Sequence, residues 1–69
     1  MRFSYNPLWK LLIDRNMNKS DLRKLTGISS ASIAKLNKGE NITTDILLRI
    51  CEALDCDLTD IVEISDTER

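Results

Sequence analysis

Residues Asn18 to Gly39 read NKSDLRKLTGISSASIAKLNKG, and this stretch decides the fold. Asn18 can cap a helix whose apolar residues are Leu22, Leu25 and Thr26. Gly27 then stops that helix, because a chain leaving a helix often enters left-handed backbone space, which glycine occupies without steric cost. Ile28 follows as an apolar plug. Ser29 and Ser30 can cap a second helix, whose inward positions Ile33 and Leu36 lie three residues apart on one face. The stretch is thus two short helices hinged on Gly27.

Working outward toward the N-terminus, Arg2-Phe3-Ser4-Tyr5 alternates polar and aromatic residues and predicts a short strand. Asn6-Pro7 predicts a helix start, with Asn6 as the capping side chain and proline at the first helical position. That helix should run from Pro7 to Asn16 with Leu8, Leu11 and Leu12 facing inward. Trp9 lies off the centre of the stripe and reads as a packing aromatic, and Met17 closes the connection. On the other side, Glu40-Asn41-Ile42 is a loop and Thr43 caps a fourth helix, whose apolar stripe is Leu47, Ile50, Cys51 and Leu54. Asp57 and Asp60 resemble a capping box for a further, fifth helical turn containing Leu58 and Ile61. The alternation Val62-Glu63-Ile64-Ser65 predicts a second strand. The two strands can pair and seal the core of one chain, or offer their edges to a second copy.

The chain of 69 residues is expected to form one domain, residues 1–69, with the helical pair near 18–39. A chain of this size buries only about 60% of its unfolded surface, so a partner subunit would help it. Apolar residues at 42% and charged residues at 30% are ordinary for a folded domain. The apolar runs are too short to span a membrane, and charged residues interrupt the opening stretch, which predicts a cytoplasmic protein. Residues 1–39 carry eight basic side chains against two acidic, a net of +6, whereas residues 40–69 carry two basic against nine acidic, a net of −7. Two helices joined by a short glycine-containing turn make a helix-turn-helix, whose second helix can enter a DNA major groove. A basic face with an acidic back suits oriented approach to a polyanion; the plainer alternative is two solvated surfaces. Cys51 and Cys56, with no histidine in the chain, cannot complete a four-ligand zinc site and read as core filler, so neither metal nor cofactor is expected. Asn41-Ile42-Thr43 formally matches a glycosylation acceptor, which without a secretion signal is coincidence.

Taken together, Asn18 to Leu22, Thr26 to Ser29, Ile33 to Gly39, and Thr43 with Leu47 through Leu58 resemble the Cro/cI-type (XRE) helix-turn-helix family of repressors. The resemblance covers Leu8 to Ile61 and implies an all-α, five-helix lambda-repressor-like DNA-binding domain. It implies base-reading roles for Ser30, Ala31 and Lys35 at the outward start of the third helix. It implies phosphate or backbone contacts for Lys19, Ser29, Ser32 and Lys38, and Arg23 could add another. Chemically, Lys35 can donate to guanine, Ser30 can donate or accept, and Ala31 can only meet a thymine methyl, so direct readout should be modest. Shape and phosphate contact should carry more of the specificity.

Three departures from the family pattern stand out. Many members pair an arginine of helix one with a glutamate late in helix three; here Leu12 and Asn37 occupy those positions, and no ion pair is left half made. Arg23 replaces the usual alanine at the crossing of helices two and three, so it must snorkel outward. The loop Glu40-Asn41-Ile42 is not basic, which removes one expected backbone contact. The leading expectation is a homodimeric, sequence-specific transcriptional regulator, a repressor, of double-stranded DNA, with no membrane or small-molecule partner. The alternative is a protein-interaction module, antitoxin-like or adaptor, working through the acidic half. An enzyme is not expected, since histidine and a glycine-rich phosphate cradle are both missing.

Overall fold

The ends of the helices follow from short-range chemistry, and they set the register of everything else. The computed structural model describes residues 1–66. In chain order it contains β1 (Arg2–Ser4), α1 (Asn6–Asp14), α2 (Lys19–Thr26), α3 (Ser30–Lys38), α4 (Thr44–Leu54), a single 3₁₀ turn (Leu58–Asp60) and β2 (Glu63–Ser65). At the start of α2, Asn18 Oδ1 accepts from the Asp21 amide at 2.8 Å while Asp21 Oδ2 accepts from the Asn18 amide at 3.0 Å. This reciprocal box satisfies two amides that the first helical turn leaves without partners. Gly27, at φ 75°, ends α2, and its amide donates to the Arg23 carbonyl at 2.8 Å. Ser29 caps α3 through the Ser32 amide at 3.2 Å, and Thr43 caps α4 through the Ile46 amide at 3.4 Å.

Two boundaries differ from the sequence expectation. Asn6 is the first residue of α1 rather than its cap, and no side chain caps that helix. The reason lies in Tyr5, whose buried side chain anchors the turn and whose carbonyl accepts from the Leu8 and Trp9 amides. Helix α1 also ends at Asp14 instead of Asn16. Asn16 takes the left-handed conformation at φ 57°, and the Met17 amide donates back to the Leu12 carbonyl at 2.8 Å. That six-residue closure is a Schellman ending, with asparagine where glycine is commonest.

The mostly helical domain and the pairing of its terminal strands agree with the sequence expectation, but the fifth helix does not: the described residues form four α-helices and a short two-stranded antiparallel sheet. The segment expected to be the fifth helix makes only a 3₁₀ turn. Asp60 Oδ2 accepts from the Asp57 amide at 3.0 Å, but Ile61, fully buried, turns into the core, and the chain then extends into β2. The strands pair within the one chain, with Arg2 opposite Ser65, Phe3 opposite Ile64 and Ser4 opposite Glu63.

Every helix contributes to one buried cluster: Leu8 and Leu12 from α1, Leu22 from α2, Leu36 from α3, and Ile50 and Leu54 from α4. Tyr5, Ile28 and Ile61 complete it. Of the other expected inward residues, Leu11, Ile33, Leu47 and Cys51 are half-buried and pack against this cluster. In α2 the residue Leu22 is buried, Thr26 is half-buried and bonded to the Leu22 carbonyl at 2.7 Å, and Leu25 is 54% exposed. Leu25 lies about 60° round the helix from Leu22 and Thr26 about 40° the other way, so the covered stripe runs through Leu22 and Thr26 and leaves Leu25 at its rim. Helix α2 packs on α3 and α4, and α1 packs on the 3₁₀ turn. The Arg15 guanidinium, just past α1, donates to the Leu54 carbonyl and so satisfies an acceptor at the end of α4. No helix among the described residues is long and apolar enough to cross a membrane.

Burial makes a simple contrast testable. Leu22→Ala should destabilise the protein by about 2–5 kcal/mol, a large share of a small domain's stability. Leu25→Ala should stay within about 0.5 kcal/mol. Urea unfolding followed by circular dichroism measures both; equal losses would show that the assigned face of α2 is wrong.

Candidate nucleic-acid interface

Helix α3 has one half-buried and buried side, Ile33 and Leu36, and this leaves its other side to solvent. Ser30, Ala31, Lys35 and Lys38 are all exposed, as the sequence led one to expect. They fall at spacings that put Ala31, Lys35 and Lys38 along one stripe of the helix. Ala34, also exposed, lies between them and was missed by reasoning from the sequence; its spacing from Ser30 and Ala31 was the available signal.

Ser29 and Ser32 sit at the N-terminal end of this helix, where their hydroxyl oxygens are 3.1 Å apart. The Ser29 oxygen also accepts the Ser32 amide, so its first task is capping. On α2, Lys19 and Arg23 are one turn apart and both exposed. Arg23 therefore clears the crossing with α3 by pointing outward, in the way a long stem allows.

The turn at Gly27 brings the start of α2 to the end of α3. Lys19 Nζ donates to Asn37 Oδ1 at 2.6 Å across 18 positions of sequence, and it stands 4.7 Å over the centre of the Trp9 ring. Asn37 is thus bonded to α2, while Leu12, buried in the core, has no polar role. Neither relation to Lys19 was legible in the sequence, because each links residues on different helices. Arg2 reaches the same end of α3: a Cβ placed on Gly39 would stand 3.1 Å from its Nη2. An open cleft there is lined by Arg2, Tyr5, Asn6, Trp9, Asn37 and Lys38. The loop after Gly39 is held from behind, since the Tyr5 hydroxyl donates to the Glu40 carbonyl at 3.2 Å. Burial raises the Tyr5 pKa, so the phenol remains a donor at neutral pH.

Other basic residues have structural partners. Arg15 donates to the Leu54 carbonyl, and Arg49 Nε lies 3.5 Å from Asp45 one turn back on α4. The two thiols, Cys51 and Cys56, are free and half-buried. Burial is the main cause that raises both of their pKa values, which keeps them protonated at neutral pH and poor as nucleophiles. The arrangement as a whole sets small side chains on the exposed face of α3 with exposed cations on either side of it. That is the chemistry of a helix-turn-helix DNA reader.

The comparisons with known proteins agree with this geometry. The model of the Cro/C1-type helix-turn-helix DNA-binding domain matches residues 7–67. The chain belongs to that family, whose members are DNA-binding regulators and typically not enzymes. It is similar to a crystal structure of the transcriptional regulator VanUg, with 56% sequence identity and a TM-score of 0.87. The match covers 90% of this chain and 83% of that one. No curated protein matches the chain.

Proposed function

We propose that the 69 residues act as a single-domain, homodimeric, sequence-specific transcriptional regulator, a repressor, that lays α3 in the major groove of double-stranded DNA. The observation that carries this reading is the exposed face of α3, flanked by cations from α2 and from its own C-terminal end. The family and the likeness to a transcriptional regulator support it. Ser30, Ala31 and Lys35 meet base edges in this reading. Lys19, Arg23, Ser29, Ser32 and Lys38 meet the phosphate backbone. The protein works in the cytoplasm without catalysis, metal or cofactor.

A homodimer is supported by size and by an exposed apolar patch on the β1–β2 ribbon, where Phe3 is 50% and Ile64 63% exposed opposite each other. Major-groove readers of this kind bind two half-sites about one helical turn apart. Sedimentation equilibrium should find a dimer on DNA; a monomer at high protein concentration and on DNA would remove this part of the reading.

Selection of sites from a random DNA pool tests the central claim and should return a palindromic or near-palindromic site. With three or four phosphates neutralised per half-site, the log–log salt dependence of binding should have a slope of roughly −5 to −7. A slope near zero on the best selected site would overturn DNA binding as the function. Within that complex, Lys35→Ala should cost about 1–3 kcal/mol and relax preference at one base pair, whereas Lys38→Ala should weaken all sequences alike. Equal weakening of every sequence by both substitutions would reassign Lys35 to the backbone.

A second reading is a protein-interaction module on the same scaffold. It is favoured by the apolar groove between α4 and the 3₁₀ turn, where Leu48 is 58% and Leu58 49% exposed in the acidic half of the chain. Recovery of a basic protein partner, together with no DNA shift at low salt, decides for it.

A further inference from the structure

We infer that Trp9 and Asn37 are positioning residues for Lys19: one from α1 and one from α3, they hold its ammonium at the shared end of α2 and α3, ready to donate to a DNA phosphate. The inference rests on the reading of α2 and α3 as a DNA-binding unit and names how one phosphate contact of that unit is prepared.

An exposed lysine side chain ordinarily samples many rotamers and loses that freedom when it binds an anion. Lys19 is already restrained on two sides. Its Nζ lies 4.7 Å from the Trp9 ring centre, within the range of about 6 Å over which a ring face attracts a cation. It also donates to Asn37 Oδ1 at 2.6 Å. An ammonium has three donors. Asn37 occupies one, and the ring attracts the charge without a conventional hydrogen bond, so donors remain for a phosphate oxygen. Both partners are neutral, and Lys19 therefore keeps its whole charge for an anion. A carboxylate at position 37 would have competed with DNA for that charge; an amide does not.

The site is also placed for this use. Lys38 follows Asn37 directly and is exposed, and Arg2 comes close to Gly39 just beyond. Cations from β1, α2 and α3 thus converge on one end of the recognition helix. Holding the ammonium in place beforehand lowers the ordering cost of the contact, which is the general advantage of preorganisation. A purely structural staple between α1 and α2 would show the same distances, and the two roles separate in a double-mutant cycle.

The experiment measures binding of the full chain to a mixed-sequence DNA duplex as a function of salt, with thermal unfolding of every variant as control. Lys19→Ala should weaken binding and reduce the magnitude of the salt slope by about one. Trp9→Leu should weaken binding about two- to fivefold, with the slope unchanged because the charge remains. On the Lys19→Ala background Trp9→Leu should have no further effect, and Trp9→Phe should recover part of the loss. Asn37→Ala, at an exposed position where unfolding is not expected, provides an independent arm and should show the same dependence on Lys19. If Trp9→Leu fails to fold, the Asn37 cycle alone decides. Losses from Trp9→Leu or Asn37→Ala that persist undiminished without Lys19, or no loss from either, overturn the positioning role while leaving DNA binding intact. Failure of the unsubstituted protein to bind the duplex at low salt overturns both.

Discussion

The structure depends most on the turn from Gly27 to Ser29. Gly27 adopts φ 75°, and a Cβ at that position would meet nothing within 4 Å, so the demand is on backbone conformation and not on space. Ordinary L-residues carry a penalty of about 1–2 kcal/mol there. Ile28 is buried beside Leu22 and Leu36, which are fully buried, and pins the turn to the core that both helices share. Ser29 then starts α3 at once through its cap. With a polar cap on one side, an apolar plug in the middle and a left-handed residue before it, the angle between α2 and α3 has little freedom. The exposed face of α3 is what remains once that packing is satisfied.

Charge is distributed for two different reasons in the two halves of the molecule. In the acidic half two carboxylates serve helix ends: Asp60 accepts the Asp57 amide, and Asp45 lies in the first turn of α4, where a negative charge suits the helix dipole. In the basic half some cations are structural, as Arg15 is at the end of α4, while Lys19, Arg23, Lys35 and Lys38 remain exposed on α2 and α3. The asymmetry of charge seen in the sequence therefore does not translate into a count of DNA contacts. It becomes a surface only after the residues used for capping are set aside.

Much of this was legible in the sequence because the relevant physics is local. Caps, left-handed stops and apolar stripes act over three to five residues, so Asn18, Gly27, Ser29, Gly39 and Thr43 could be read directly. The failures were local rules overridden from a distance. Asn6 looked like a cap, but the buried side chain of Tyr5 sets the start of α1. The Asp57–Asp60 capping box formed as read, but Ile61 turns into the core, so the turn it opens is a single 3₁₀ turn and not a fifth α-helix. Ala34 was overlooked because alanine carries no chemistry of its own; only its place between Ala31 and Lys35 makes it part of the face.

By itself the sequence determined the helix-turn-helix, the identity of its stops and caps, and which side of each helix is apolar, since these follow from the period of the helix and the chemistry of its ends. Tertiary structure alone decided which elements meet. It joined β1 to β2 within the chain, brought the guanidinium of Arg15 to the carbonyl of Leu54 across 39 positions, and set Lys19 between Trp9 and Asn37. A periodic pattern names the face that must be buried but not the partner that buries it. Polar contacts between helices are assigned only when packing has fixed their distance.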